Sequence, residues 1–346
     1  MMKKDALLPQ RKDDHLRINL EQDVQSMIST GFEKIHLKHK ALPELDFARI
    51  DTTLTLFNKQ LAAPILISSM TGGTQSGAAF NHTLALAAEH CGIAMGVGSQ
   101  RAAIENPERA ESFNIRKFAP NALLFANLGA VQLNYGYGID ECKMAVDMLE
   151  ADALYLHLNP LQEALQPEGN HNFSGLLPKI EAVCRSLPVP VLVKEVGWGI
   201  DLDIARKLLE VGVTGIDVAG AGGTSWAKVE TYRQPDPLRA PINQAFSDWG
   251  IPTAQNLLQL RELEGNPIIF ASGGLKDGVD LAKALALGAK LGGFARKFLI
   301  AANSGESELI NQIEMIKMQL KTAMFACGVA SLPGWNIRHL EVAELL

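Results

Sequence analysis

Short apolar runs that end in small or polar residues recur along the chain. They read "APILISSMTGG" (63–73), "GIAMGVGSQR" (92–101), "ALLFANLGA" (122–130), "ALYLHLN" (153–159), "PVLVKEVGWG" (190–199), "GIDVAGAGG" (215–223), "PIIFASGGL" (267–275) and "AKLGGFAR" (289–296). These runs are continuous in their apolar character, as expected of strands covered on both faces in a parallel sheet. The first four begin roughly thirty residues apart, about the length of one strand–helix unit. Between them, "AAFNHTLALAAEHCG", "DECKMAVDMLEA", "LDIARKLLEVG" and "KDGVDLAKALALGA" carry apolar residues at three- and four-residue steps, with Gly near their ends. Eight strands alternating with amphipathic helices predict an α/β fold, a (β/α)8 TIM barrel forming a single domain over residues 1–346. Residues 1–60 form an N-terminal extension, 61–330 the barrel and 331–346 a C-terminal tail. Residues 224–251 are an insertion after strand six, where a long segment reads as a lid over the strand ends in preference to a disordered loop.

In such a barrel the site gathers at the C-terminal ends of the strands. Those ends carry Ser69-Met70-Thr71, Ser99-Gln100-Arg101, Asn127, His157 with Asn159, Lys194-Glu195 and Ala295-Arg296. One such residue alone is more often a satisfied structural group, but here most strand ends agree. Lys194 in "VLVKEVG" falls inside or just above the barrel, where an unpaired ammonium is expensive. A salt bridge is its structural alternative, although the adjacent Glu195 points to the opposite face. The cost of burial favours a Lys that meets an anionic ligand atom. Gly273-Gly274 and Gly292-Gly293 end strands seven and eight, where bare backbone N–H groups at a helix start suit a phosphate. His157 and Asn159 are two residues apart and share a strand face, while Gln162 and Glu163 follow Pro160 on the loop. Glu163 is a solvated carboxylate unless a phosphorylated substrate is present, when it becomes a natural Mg²⁺ ligand. Arg11, Lys12 and His15 form a charged leader that acts as an anion clamp only if it folds back over the mouth of its own or a neighbouring barrel.

Composition adds limits. Charge is −6 with 20% charged residues and no basic block, which argues against a nucleic-acid surface. Cys91, Cys142, Cys184 and Cys327 are scattered without a CxxC pair, as in reduced cytosolic proteins. The cationic start lacks an apolar signal core and no run is long enough to span a bilayer, so the expectation is a cytoplasmic protein.

The strings "RKDDHL", "ISSMTGGT", "GVGSQR", "NLGA", "HLNPLQEALQPEG", "VKEVGWG", "GAGGTSW", "ASGGL" and "GGFAR" together resemble the type 2 isopentenyl-diphosphate isomerases, FMN-dependent enzymes. The resemblance runs in order over almost the whole chain and is most specific around His157–Glu163. It implies FMN, active when reduced, with Mg²⁺ and with NADPH as reductant. Carried over, Ser69, Met70, Thr71, Ser99, Asn127, Lys194 and Thr224 line the flavin. The Gly273-Gly274 and Ala295-Arg296 turns hold its phosphate. Arg11, Lys12, Arg101, His157 and Asn159 grip the substrate diphosphate, with His15, Ser99 and Gln100 beside them. Gln162 lies near the reacting carbons, Glu163 ligates Mg²⁺, and Gln162, His157 and Lys194 are the catalytic candidates.

The implied reaction moves a double bond, from isopentenyl to dimethylallyl diphosphate, with no net redox change. The resemblance also implies a homotetramer or larger assembly. The nearest rival is an FMN-dependent 2-hydroxy-acid oxidase or dehydrogenase. Those enzymes are similar to one another in a strand-end His with an adjacent Arg. Here the comparable ends read "VAGAGGT" and "FASGGL" and contain neither. A non-catalytic flavin- or phosphate-binding barrel explains the glycine turns but leaves His157, Asn159, Gln162 and Glu163 without a purpose.

Overall fold

The computed structural model describes the backbone of residues 2–342 and the side chains of residues 10–342. All eight apolar runs form strands: β1 (Ile65–Ile67), β2 (Ala94–Gly96), β3 (Leu124–Gly129), β4 (Ala153–His157), β5 (Val191–Lys194), β6 (Gly215–Asp217), β7 (Ile268–Ala271) and β8 (Leu291–Phe294). They pair in parallel in chain order, and β8 pairs with β1 to close the barrel. The intervening helices begin and end as their sequences dictate. Thr74 accepts from the Gly77 N–H at the start of helix Gln75–Cys91, and Gly92 at φ 62° closes it. Asp201 and Asp277 cap the helices Leu202–Glu210 and Gly278–Ala286 in the same way.

The period of two along each strand sorts the barrel interior into levels. Leu66, Ala94, Phe125, Tyr155, Leu192, Phe270 and Leu291 form one buried cluster inside the barrel. Two residues further along those strands stand Ser68, Gly96, Asn127, His157, Lys194, Ser272 and Gly293, on the same inward face. The interior thus changes from apolar to polar within one pleat repeat. The opposite end is plugged by a hairpin, Leu54–Leu56 paired with Lys59–Leu61, whose Leu56 and Leu61 join the apolar cluster. The outer core fills the space between strands and helices.

The extension and the insertion meet above the strand ends. The N-terminal helix Met2–Glu21 packs on the insertion helix Trp226–Arg233, where Ile18, Val24 and Val229 form a buried cluster with Trp226 against it. The insertion is therefore helical, with a second helix at Arg239–Gln244. Gln25 bridges to Thr224, which ties the end of the extension to the start of the insertion. Further on, Ile35–Leu37 pairs antiparallel with Leu340–Val342. Residues 331–342 are thus packed against the body of the fold, and the buried Trp335 donates to the Ala282 carbonyl at 2.7 Å. Residues 343–346 lie outside the described residues. Among the described residues no helix is long and apolar enough to cross a membrane.

Candidate active site

A cavity of about 450 Å³ opens at the C-terminal end of the barrel. Ser69, Met70 and Thr71 after β1 form one wall, and Thr224 after β6 forms another. Gly273, Gly274, Ala295 and Arg296, after β7 and β8, line its far end. Lys194 enters from β5, while Lys12 and His15 reach down from the N-terminal helix. Sequence-predicted residues from five strand ends and the extension therefore share one space.

The cavity is chemically suited to a flat, phosphorylated ligand. Gly273 sits at φ 102°, and a Cβ there would lie 2.1 Å from the Gly220 carbonyl oxygen, so two strand-end turns pack backbone to backbone. Helix Arg296–Ser304 starts at this end without a side-chain cap, and a helix start of this kind suits an anion. Among the described residues the buried Ser69 Oγ has no partner. Lys194 is 6% exposed and donates to the Glu195 carbonyl at 2.6 Å, which leaves further N–H bonds for a ligand. Glu195 is not its ion-pair partner: the Glu195 carboxylate turns outward and accepts from the backbone N–H groups of Val196, Gly197 and Trp198. These features fit FMN. The Arg296 guanidinium itself is turned away, donating to the Asn19 and Gln22 carbonyls at the end of the N-terminal helix.

A second group of polar side chains adjoins the cavity. His157 and Asn127 face each other across β4 and β3, with Nδ1 and Oδ1 2.7 Å apart. Burial, and then the nearby Lys194, Arg11 and Lys12 charges, push His157 down to about 3, so it is a neutral imidazole at pH 7. Asn159 donates through Nδ2 to Gln162 Oε1 at 3.1 Å and to Glu163 Oε1 at 3.0 Å, while its own Oδ1 is buried without a partner. The short helix Pro160–Leu165 holds Gln162 and Glu163, 8% and 5% exposed. Glu163 Oε2 accepts from the Asn170 N–H. Arg11 donates to Gln166 at 3.3 Å at the edge of this group.

Glu230, in the insertion, joins the two halves. Its Oε1 accepts from Gln162 Nε2 at 3.2 Å and lies 2.9 Å from His15 Nε2, and its Oε2 accepts from Arg233. Burial works against this carboxylate, but the His15 hydrogen bond, with Arg233 and Gln162, holds it down to about 2. Glu230 gave no sequence signal, because it sits mid-helix in an insertion far from any strand end. Asp217 was also missed, although its signal was present: a carboxylate inside an apolar run, level with Lys194 on the neighbouring strand.

The remaining predicted residues are placed as follows. Lys12 donates to the Gly72 and Ser99 carbonyls at 2.6 and 2.7 Å, so the Ser99 backbone helps seat the leader. Arg101 lies outside the cavity lining and pairs with Glu105 at 2.7 Å. Gln100 corrects its expectation: its side chain is fully buried, donating to the Ala145 carbonyl and accepting from the Asn127 N–H. Both amide ends are used inside the scaffold, so the Gln100 side chain braces β3 and does not line the cavity. Asn127 likewise contacts His157 and does not line the cavity.

This fold and cavity define a flavin-binding barrel, and residues 159–341 match the FMN-dependent dehydrogenase family. Among solved structures, a flavocytochrome b2 variant superposes with TM-score 0.68 at 20% identity, covering 95% of this chain and 83% of that one. A mandelate oxidase variant with benzaldehyde does so with TM-score 0.66 at 19% identity, covering 98% and 96%. At that identity the likeness is one of fold. An isopentenyl-diphosphate delta-isomerase of Nostoc sp. is 52% identical over 323 residues, 93% of this chain and 92% of the relative. The enzyme of that name from Rickettsia rickettsii is 49% identical over 332 residues, 96% and 97%. The chain belongs to the isopentenyl-diphosphate delta-isomerase family and is an isomerase.

Proposed function

We propose that the protein converts isopentenyl diphosphate to dimethylallyl diphosphate, using reduced FMN in the cavity and Mg²⁺ at Glu163, with NADPH as reductant. The observation that carries this reading is Glu230 of the roof, formed by the N-terminal helix and the insertion, which binds both His15 of that helix and Gln162 of the β4 segment. That link draws the basic leader and the Gln162 side chain to one mouth, so a diphosphate and its alkene tail can be held together. Arg11, Lys12 and Arg101 supply positive charge for the diphosphate, and Arg11 and Lys12 each act on the buried His157 through their charges. Neutral His157 spends its one N–H on the Asn127 Oδ1, so donating to a phosphate oxygen requires the imidazolium, which a bound diphosphate would favour.

The Mg²⁺ reading rests on the unpaired Asn159 Oδ1 beside the Glu163 carboxylate. Among the described residues no group of three or more His, Cys, Asp or Glu gathers for a metal, so substrate phosphate oxygens must complete the coordination. The backbone of Gly273-Gly274 and Ala295-Arg296 would hold the FMN phosphate, with Ser69, Met70, Thr71, Lys194 and Thr224 around its ring. Bound and reduced, FMN supplies an electron-rich ring beside the substrate for proton exchange and electrostatic stabilisation.

The chemistry adds a proton to the terminal alkene carbon and removes one from the carbon next to the oxygenated methylene, so atoms and electrons balance. Gln162 positions the reacting carbons, and Glu230 fixes the Gln162 amide by accepting from its Nε2. Closure by the roof excludes water from the cationic stage. The family resemblance supports a cytoplasmic homotetramer or larger assembly. The test is an anaerobic assay of purified protein with FMN, reductant, Mg²⁺ and isopentenyl diphosphate. Dimethylallyl diphosphate is the expected product, and its absence under these conditions overturns the proposal.

A further inference from the structure

Asp217 is a fully buried carboxylate that the proposed reaction does not use. It stands on β6 in direct register with Lys194 of β5, on the strand pair that forms this side of the barrel. Paired strands lie about 4.8 Å apart, so the two side chains leave the backbone as immediate neighbours at the same level. The Asp217 Oδ1 atom is saturated, accepting from Ser272 Oγ at 2.7 Å, the Ser272 N–H at 3.2 Å and the Ala219 N–H at 3.3 Å. Among the described residues its Oδ2 has no hydrogen-bond partner, and neither has the hydroxyl of the buried Tyr155 one level below. Burial raises Asp217 from the usual carboxylate range, and a nearby cation is what opposes this most strongly and favours the ionised form.

Lys194, the neighbour in register, is the cation placed to do so. On its other flank the β4 neighbour in register is His157, a neutral imidazole, and its own neighbour Glu195 is engaged by three backbone N–H groups. Burial is the largest effect on Lys194 and holds it below the usual lysine range; Asp217 opposes that pull most strongly, with Glu195 second. The ammonium makes one bond to the protein, to the Glu195 carbonyl, and otherwise faces the cavity.

We infer that Asp217 is a positioning residue that keeps Lys194 cationic on the cavity floor, and thereby biases the site toward a ligand with negative charge at that point. It rests on the flavin reading above, in which Lys194 meets the ring. A reduced flavin gains negative charge on its ring relative to the oxidised form, so the pair should favour the reduced state. Asp217 does this from the neighbouring strand, outside the cavity lining, and touches neither ligand nor substrate.

The test uses the full-length protein. Asp217→Asn should weaken binding of reduced FMN relative to oxidised FMN by about tenfold or more, which lowers the two-electron potential by about 30 mV or more. Acidification should shrink this defect, because protons restore the ammonium that the lost carboxylate no longer holds. In the Lys194→Met background, Asp217→Asn should have little further effect on the potential. A purely structural Asp217 would lower melting temperature without a pH-dependent potential shift and would add to Lys194→Met.

An unchanged potential in a folded Asp217→Asn protein overturns the inference. Should that variant not fold, NMR of lysine side chains in the wild-type protein without FMN decides the matter. Lys194 must be an ammonium at neutral pH, and a neutral amine overturns the inference. This measurement needs no flavin, so failure to load FMN would count against the flavin reading alone.

Discussion

Gly273 and Gly288 allow the flavin cradle to be tested against an internal control. Their backbones are nearly alike, at φ 102° and 109°. A Cβ at Gly288 meets nothing within 4 Å, whereas one at Gly273 would lie 2.1 Å from the Gly220 oxygen and 2.5 Å from its nitrogen. Gly288→Ala therefore carries only the cost of a left-handed conformation, about 1–3 kcal/mol. Gly273→Ala carries the same strain plus overpacking against backbone that has no rotamer to yield, about 1–3 kcal/mol more. At roughly 2 °C per kcal/mol for a chain of this size, Gly273→Ala should melt a few degrees below Gly288→Ala. Displacing the β6 and β7 turns should also spoil the phosphate cradle. Flavin titration should then give near wild-type affinity for Gly288→Ala and at least about tenfold weaker affinity for Gly273→Ala, equivalent to 1.4 kcal/mol. Equal flavin affinities in the two variants would refute the placement of the phosphate at this turn.

Glu163→Gln should reduce Mg²⁺-dependent turnover while flavin absorbance stays intact; loss of flavin would mean that Glu163 supports the cavity and not a metal. Burial, then the Arg11 charge, pushes Lys12 down to about 7, so the leader loses positive charge as pH rises through neutrality. KM for the diphosphate should rise over that interval, and Lys12→Met should flatten the profile. His157 is held well below the range of a free imidazole, so between about pH 6.5 and 3 the unfolded chain binds a proton that the folded chain refuses. Stability should therefore fall on acidification in this window, and His157→Gln should make that fall shallower in melts followed from pH 7 to 4.

The barrel was legible because its rule is local. An apolar run of four to six residues, buried on both faces, looks the same wherever it occurs, and the eight runs spaced by amphipathic helices left little choice of topology. The strand-end residues were legible for the same reason, since parity along β3, β4 and β5 alone puts Asn127, His157 and Lys194 on the inner face. Gln100 failed because a residue just past a strand can turn either way. The Asn127 N–H and the Ala145 carbonyl, both distant in sequence, captured its amide. Glu230 depends on a helix–helix contact between the insertion and the extension, and no spacing within either segment encodes it. The leader posed the same difficulty: its charges were plain, but their seat on the Gly72 and Ser99 carbonyls is a tertiary fact.

The antiparallel pairing of Ile35–Leu37 with Leu340–Val342 bears on how the chain acquires its roof during synthesis. Barrel closure already waits for β8 to meet β1, a contact across more than two hundred residues. The strand that anchors the extension waits longer still, for a partner about three hundred residues downstream. Loop closure on that scale is slow, so an emerging chain holds its basic N-terminal segment without this anchor while the barrel strands are still being made. The active site is thus completed last by a segment made before the barrel that it covers.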